Sequence, residues 1–182
     1  MSSLTFITGN PHKAALLKEY WPGEVEHLAL ELPEIQSLDL KEVVTHKARA
    51  AYSQLKQPVL VEDVSLVFPA LGQLPGPFIK WFLASLGPKK ICDLVYLYPD
   101  RTARATVMYA LCDGTETRIF SGEEVGRVSP EPRGETGFGW DVLFIPDGAE
   151  QTRAEMTPQD RERYSMRKKA LADLAWYYTE KP

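Results

Sequence analysis

Several short groups in this sequence combine side chains that could do chemistry. The first is TGNPHK, residues 8–13, where a predicted strand ends and a helix begins at Pro11 with Asn10 as its cap. Free backbone N–H groups at a helix start, with Lys13 in the first turn, would suit a phosphate group. The spacing is neither that of a P-loop nor that of a dinucleotide fingerprint. A capped helix with a solvated lysine is the alternative interpretation.

Acidic residues form the second group. Glu62 and Asp63 interrupt the apolar run VLVEDVSLVF, residues 59–68. A carboxylate is costly to bury unless it is paired or bound to a metal, and adjacent strand residues point to opposite faces. At most one of the two therefore faces a given cleft, and a strand end meeting solvent is the alternative. Glu34, in the loop segment LPEIQS, reads by default as a solvated glutamate.

The segment FGWD, residues 138–141, follows a loop rich in glycine and proline. Glycine lets backbone approach a ligand closely. Phe138 and Trp140 could sandwich a flat base, and Asp141 could bond its edge. Aromatic core residues after a turn are the alternative.

Three cationic residues lie beside predicted apolar helix stripes. Arg167 precedes Leu171 by four residues, so it continues an inward stripe and needs a partner, for which a ligand is one candidate. Lys47 and Lys80 lie beside such stripes, and the simplest interpretation is that their ammonium groups extend into water.

Hydrophobic periodicity predicts the elements that position these residues. Strands are expected at 4–8, 25–30, 59–68, 103–112, 117–128 and 142–145. Helices are expected at 11–20, 40–55, after Gly76-Pro77, around 91–98 and from Pro158. The expected inner stripes are Phe78, Ile79, Phe82, Leu83 and Leu86, and Leu171, Leu174, Ala175 and Tyr178. This alternation predicts an α/β (mixed α+β) fold.

Composition limits the class of protein. The 182 residues are 44% hydrophobic and 25% charged, typical of a folded domain, and the net charge of −4 disfavours nucleic-acid binding. Cys92 and Cys112 form no CxxC pair and read as reduced packing residues. The N-terminus lacks a basic leader, and no apolar run approaches the ~20 residues of a membrane span. We therefore expect a cytoplasmic protein without a membrane partner.

Taken in chain order, these groups resemble the Ham1-like pyrophosphatases, which include the inosine triphosphatases. The resemblance covers nearly the whole chain through TGNPHK, LPEIQS, VLVEDVSL, ALGQLPGPFIKWF, FGWD and a final Ser-x-Arg. It implies one domain over 1–182, with a long bent central mixed sheet flanked by helices. It also implies two lobes, an active-site cleft between them, and a homodimer.

The resemblance further implies an activity. Non-standard purine nucleoside triphosphates (ITP, dITP and XTP) would be cut between the α and β phosphates, clearing them from the nucleotide pool. Glu34 and Asp63 would hold Mg²⁺, and Asp63 would be the catalytic base for the attacking water. The implied substrate contacts are Thr8, Gly9, Asn10, Lys13, Lys47 and Lys80 at the phosphates, and Phe138, Gly139, Trp140, Asp141, Arg161, Met166 and Arg167 toward the base.

This chain departs from the family pattern at two positions. Met166 stands where histidine is usual and cannot donate its hydrogen bonds, and Arg161 stands where lysine is common. Three alternatives stay open: a Maf-type pyrophosphatase with another base preference, a nucleotide-binding relative without turnover, and a structural or nucleic-acid partner.

Overall fold

The computed structural model describes residues 4–21 and 23–180. Its strands are β1 Leu4–Ile7, β2 Val25–Leu28, β3 Val59–Val67, β4 Pro75–Gly76, β5 Thr102–Cys112, β6 Thr117–Val128 and β7 Phe144–Pro146. Its α-helices are α1 Pro11–Tyr20, α2 Leu40–Leu55, α3 Ile79–Val95, α4 Pro158–Arg163 and α5 Met166–Glu180. Over the described residues, every helix is too short or too polar to cross a lipid bilayer.

The strands form one mixed sheet flanked by helices. Across the described residues the strand order is β2-β1-β3-β5-β6-β7, with β4 paired to β3. Strand β1 is parallel to β2 and β3, and all four of its residues are buried, as expected for a strand covered on both faces. Strand β4 is antiparallel to β3, and β7 is antiparallel to β6. The predicted mixed α/β fold is confirmed.

Contacts divide the chain into two compact units. The first unit comprises Met1–Asp63, Val107–Gly122 and Arg167–Pro182. Its core packs α2 on strands β1, β3 and β5, through a group of buried residues: Ile7, Val44, Ala48, Ala51, Val59, Val61, Ala110 and Cys112. The second unit comprises Val64–Thr106 and Glu123–Met166. Its buried side chains include Phe68, Ile79, Ile91, Val95, Leu143 and Phe144.

Local capping explains why two helices begin where the sequence predicts. Oδ1 of Asn10 accepts the N–H of His12 at 2.9 Å, and Pro11 occupies the first helical position of α1. Oδ1 of Asp39 accepts the N–H of Lys41 at 2.8 Å at the start of α2. The predicted bounds of α1 and α2 are confirmed.

Two helical predictions are only partly correct. Helix α3 covers the first expected helix and only part of the second, which ends at Val95 instead of near residue 98, and it breaks at Gly87, whose φ is 74°. The stripe of its first half does not continue: Ile79 is buried, Leu86 is 37% exposed, and burial resumes only at Ile91. The single helix expected from Pro158 is instead α4 and α5, because residues 164–165 leave helical geometry between them. Both cysteines are free and buried, as expected.

Candidate functional site

A charged cluster occupies the first unit. It consists of Lys13, Glu34, Lys47, Glu62, Asp63, Tyr109 and Arg167. The two acids in the middle of β3 are its centre, and helices α1, α2 and α5 supply the cations. The structure therefore brings together two predicted metal ligands, Glu34 and Asp63, and the three cations Lys13, Lys47 and Arg167.

Glu62 is the buried member of the acidic pair. Nη2 of Arg167 donates to its Oε1 at 3.0 Å, and the hydroxyl of Tyr109 donates to its Oε2 at 2.8 Å. Nζ of Lys13 lies 3.6 Å from Oε1. Burial alone would raise the pKa of Glu62, but the charges of Arg167 and Lys13 and these hydrogen bonds outweigh it, so the pKa is lowered. Glu62 is therefore held ionised inside the first unit.

Asp63 lies on the more exposed side of β3, between two ammonium groups. Its Oδ1 is 3.7 Å from Nζ of Lys13, and its Oδ2 is 3.3 Å from Nζ of Lys47. The two acids differ in exposure, since Glu62 is buried and Asp63 is not, and the expectation that at most one of them faces a given cleft stays a prediction. An ionised acid in this position can accept a proton or orient a water molecule.

Lys47 joins Asp63 to Glu34, whose Oε1 lies 3.4 Å from the same Nζ. Burial alone would lower the pKa of Lys47, but the Asp63 and Glu34 carboxylates outweigh it, and the pKa is raised. Two carboxylates thus converge on one cation. This donor set suits Mg²⁺, which takes one or two protein carboxylates and completes its shell with water and phosphate oxygens. Within residues 4–21 and 23–180, no group of three or more acid, histidine or cysteine side chains converges as a closed metal cage.

The turn before α1 presents backbone to solvent. The N–H of Asn10 donates to Oγ1 of Thr8 at 3.1 Å, which tightens the turn. Gly9 is exposed, and among the described residues nothing would lie within 4 Å of a Cβ added there. Protein packing does not require glycine at this position, so close approach of a ligand is a consistent reason for it.

The FGWD loop belongs to the second unit. Oδ2 of Asp141 accepts the N–H of Phe138 at 2.8 Å, and its Oδ1 accepts Nε of Arg153 at 3.1 Å. Gly137 adopts a φ of 86°, and a Cβ there would come within 2.5 Å of Oδ2 of Asp141. Asp141 thus closes the loop on itself. A carboxylate offers about four lone-pair sites, so two accepted bonds leave it able to accept a ligand donor.

The two aromatic residues of this loop differ in exposure. Phe138 is 53% exposed, whereas Trp140 is 8% exposed and packs edge-on against Phe144, with ring centroids 5.3 Å apart. The exposed part of the Phe138 ring offers a surface on which we expect a base to stack. Burial of Trp140 matches the core-anchor alternative, and the sandwich of a base between both rings stays a prediction.

Known proteins match this chain over nearly its whole length. The model of the Ham1 family matches residues 4–177. The chain belongs to the Ham1 family. It is 42% identical to a Trypanosoma cruzi protein named inosine triphosphate pyrophosphatase 2, over 96% of this chain and 91% of that protein. It is 41% identical to the Schizosaccharomyces pombe inosine triphosphate pyrophosphatase, over 96% and 94%.

Solved Ham1 structures share the fold. A HAM1 protein from Coxiella burnetii superposes with a TM-score of 0.86, at 27% identity and with 100% of both chains covered. A Mycobacterium abscessus structure described as nucleoside-triphosphatase / dITP/XTP pyrophosphatase gives a TM-score of 0.77 at 26% identity, covering 94% of this chain and 98% of that one.

Three other predicted contacts of this Ham1 chain lie in the second unit. Lys80 is exposed at the start of α3, with its Nζ 5.7 Å from the ring centroid of Trp81. Arg161 is partly exposed in the last turn of α4. Met166, at the start of α5, is only 4% exposed. The roles predicted for these three residues stay predictions.

Sequence reasoning missed two groups of this Ham1 chain. Tyr109 is fully buried in β5 and bonds Glu62, and a hydroxyl within an apolar strand was the available signal. Arg153 binds Asp141 and Glu124, and no spacing in the sequence links these residues.

Proposed function

We propose that this Ham1 chain is a Mg²⁺-dependent nucleoside triphosphate pyrophosphatase acting on purine nucleotides with a 6-keto base, namely ITP, dITP and XTP. The products are the nucleoside monophosphate and pyrophosphate. The observation that carries the proposal is the position of Asp63 between the ammonium groups of Lys13 and Lys47. The likeness to proteins named inosine triphosphate pyrophosphatase supports the substrate class.

The phosphates require cations and backbone donors. Lys13 and Lys47 neutralise phosphate charge, and the turn of Thr8, Gly9 and Asn10 offers N–H groups before the start of α1. Lys80 adds a further cation. Because Glu62 and Asp63 on β3 hold Lys13 and Lys47, their ammonium groups are positioned before the substrate arrives.

Asp63 acts on the water that attacks the α phosphorus. Its carboxylate orients that water and accepts its proton, while the bond from the α phosphorus to the bridging oxygen breaks and pyrophosphate leaves. Glu34 and Asp63 would hold Mg²⁺, which would neutralise charge on the phosphate oxygens as a Lewis acid. Glu62 does not touch the substrate and instead fixes Lys13 and Arg167.

We assign recognition of the base to one aromatic side chain, one hydrogen-bond acceptor and one hydrogen-bond donor. Phe138 stacks on the ring, Asp141 accepts the N1–H of a 6-keto purine, and Arg167 donates to the 6-keto oxygen. Adenine offers an acceptor at N1 and an amino group at position 6, so both contacts become unfavourable. Gly139, Trp140, Arg161 and Met166 complete the proposed substrate contacts.

The family match favours this activity over a Maf-type enzyme. The charged cluster likewise favours an enzyme over a nucleotide-binding relative, since such a relative has no need of an accessible base beside phosphate-binding lysines. We further propose a single Ham1-like domain over 1–182, a cytoplasmic location and a homodimer. Sedimentation at several concentrations tests the last point.

A substrate panel tests the function. Pyrophosphate release is measured with inosine, xanthosine, deoxyinosine, guanosine and adenosine triphosphates, with and without Mg²⁺. We expect metal-dependent release that is fastest with the first three nucleotides. Binding of inosine triphosphate without release supports the non-catalytic relative instead, and equal rates with all five remove the base preference.

A further inference from the structure

Arg153 lies between two carboxylates of the second unit. Its Nε donates to Oδ1 of Asp141 at 3.1 Å, and its Nη1 donates to Oε2 of Glu124 at 2.9 Å. The same Nη1 donates to the carbonyl of Tyr164 at 2.6 Å, at the end of α4. The guanidinium group is nearly buried, so its contacts fix its orientation. Arg153 therefore couples Glu124 on β6 to the carboxylate of the FGWD loop.

The carboxylate of Glu124, which pairs with this arginine, is buried and incompletely hydrogen-bonded. Its side chain is only 9% exposed, and among the described residues its Oε1 is buried without a hydrogen-bond partner. A buried carboxylate with one oxygen unsatisfied is costly in its charged form. Burial, opposed by Arg153 and reinforced by the charge of Asp141, raises the pKa of Glu124 to about 7.

Charge in this group is unbalanced when Glu124 is ionised. Two carboxylates then share one guanidinium group, and the excess negative charge falls on Glu124 and Asp141. When Glu124 is protonated, Arg153 neutralises Asp141 alone. Asp141 is 16% exposed, so it can reach a ligand in either state. The protonation of Glu124 thus changes the strength of Asp141 as a hydrogen-bond acceptor.

We propose that Glu124 and Arg153 are positioning residues that set the acceptor strength of Asp141 and thereby the discrimination between 6-keto and 6-amino purines. The inference rests on the proposed function, in which Asp141 meets the N1 edge of the base. A 6-keto purine presents a donor there and gains from a more negative Asp141. Adenine presents an acceptor there and loses by the same change.

The neighbouring acid on β6 provides a matched control. Glu123 adjoins Glu124 in sequence, but it is 48% exposed and pairs with Arg104, 3.6 Å away. Because adjacent strand residues point to opposite faces, Glu123 points away from the face on which Glu124 meets Arg153. Replacing either glutamate by glutamine removes one carboxylate from the same strand, so only the connection to Arg153 differs.

The direction of the effect follows from the charges. As pH rises through about 7, Glu124 ionises, Asp141 becomes the stronger acceptor, and selectivity for inosine over adenosine triphosphate increases. In Glu124→Gln the neutral amide mimics the protonated acid, so the selectivity keeps its low-pH value. The triphosphate titrates identically in both nucleotides, and their ratio cancels that contribution.

The experiment measures kcat and KM for inosine and adenosine triphosphates from pH 6 to 8 in the wild type, Glu124→Gln and Glu123→Gln. We expect the ratio of the two kcat/KM values to rise about threefold to tenfold in the wild type and Glu123→Gln, chiefly through KM, and to stay flat in Glu124→Gln. A rising ratio in Glu124→Gln, or a flat ratio in a wild type that hydrolyses inosine triphosphate, overturns this inference but leaves the proposed function in place. A wild type that does not hydrolyse inosine triphosphate overturns the proposed function as well.

A second variant covers loss of folding. If Glu124→Gln is unfolded by circular dichroism, Glu124→Asp is measured instead, because it keeps the acid but withdraws it from Arg153 by one methylene. We expect the pH at which selectivity rises to move by at least about half a unit, since the ion pair and burial of the acid both change. An unchanged midpoint overturns the inference.

Discussion

Oδ2 of Asp63 lies 3.3 Å from Nζ of Lys47, and the same nitrogen lies 3.4 Å from Oε1 of Glu34. One ammonium group is therefore shared by the two acids that we propose as metal ligands. The raised pKa of Lys47 keeps that nitrogen charged, because the two carboxylates outweigh the opposing effect of burial. The free protein thus carries a phosphate-binding cation and both proposed metal-binding anions in one cluster.

Asp63→Asn removes the base but keeps the shape of the side chain. We expect kcat for inosine triphosphate to fall by about two to four orders of magnitude, the usual contribution of a positioned general base. The rate of pyrophosphate release at saturating inosine triphosphate measures this fall in kcat. Asp93→Asn, at an exposed acid paired with Lys89 on α3, is the control and should keep wild-type turnover. Near-wild-type turnover by Asp63→Asn would contradict the assignment.

Gly9→Ala separates ligand approach from folding. Because a Cβ at Gly9 meets no described atom within 4 Å, we expect the free energy of unfolding to change by less than about 0.5 kcal/mol. A methyl group beside the phosphates should nevertheless raise KM by about tenfold, since small displacements of a bound substrate are costly. Urea unfolding and steady-state kinetics measure the two effects.

Gly137→Ala is the contrasting variant. Its Cβ would meet Asp141 at 2.5 Å, and its φ of 86° disfavours alanine, so it should lower stability and activity together. If Gly9→Ala leaves KM unchanged, the turn before α1 does not contact the phosphates.

Local signals carried the correct sequence predictions. The caps Asn10 and Asp39 bond N–H groups two residues away, so the starts of α1 and α2 are encoded within a few residues. The acids of β3 were conspicuous because charge in an apolar run needs a partner. The partners themselves were not predictable: Tyr109 and Arg167 lie 47 and 105 residues from Glu62 in sequence.

Other features depend on tertiary geometry that hydrophobic periodicity does not encode. The stripe predicted for the first half of α3 is only partly correct, because Leu86 is 37% exposed immediately before the break at Gly87. The contacts of Arg153 with Asp141 and Glu124 join a loop, a strand and a segment after β7. Such side-chain pairs arise from tertiary packing, and the residue types alone do not select them.

Tyr109→Phe tests how Glu62 is held. The substitution removes the hydroxyl that donates to Oε2 at 2.8 Å and leaves that buried oxygen with the longer, 3.5 Å bond from Nε of Arg167. We expect a loss of about 1–3 kcal/mol in the free energy of unfolding at pH 7. Tyr98→Phe, at a tyrosine 40% exposed, should have little effect. Equal losses in both variants would contradict a specific role for the Tyr109 hydroxyl.

The pH dependence of that loss gives a second measurement. The pKa of Glu62 is lowered from 4.5, so its ionisation stabilises the fold above pH 4.5, and this contribution is lost as pH falls through the lowered value. The hydroxyl favours the ionised acid. The difference between wild type and Tyr109→Phe should therefore shrink as pH falls below 4.5, and a constant difference would mean that the hydroxyl does not favour ionisation.

Met166→His restores the residue usual in the family at a buried position. Met166 is 4% exposed, so an imidazole there lies in a site that disfavours its charged form. We expect stronger preference for 6-keto purine triphosphates, because histidine donates hydrogen bonds that methionine cannot. We also expect stability to be lost as pH falls below about 6.5, since a buried imidazole has a lowered pKa and must bind a proton on unfolding.

Met156→His provides the matched control, because Met156 is also buried, at 5% exposure in the second unit, but lies outside the Ser-x-Arg segment. Both variants should lose stability at low pH, by thermal unfolding at pH 5 and 8. Only Met166→His should change the ratio of kcat/KM between inosine and adenosine triphosphates. If both variants shift that ratio equally, the effect comes from perturbing the second unit, and position 166 has no separate part in base recognition.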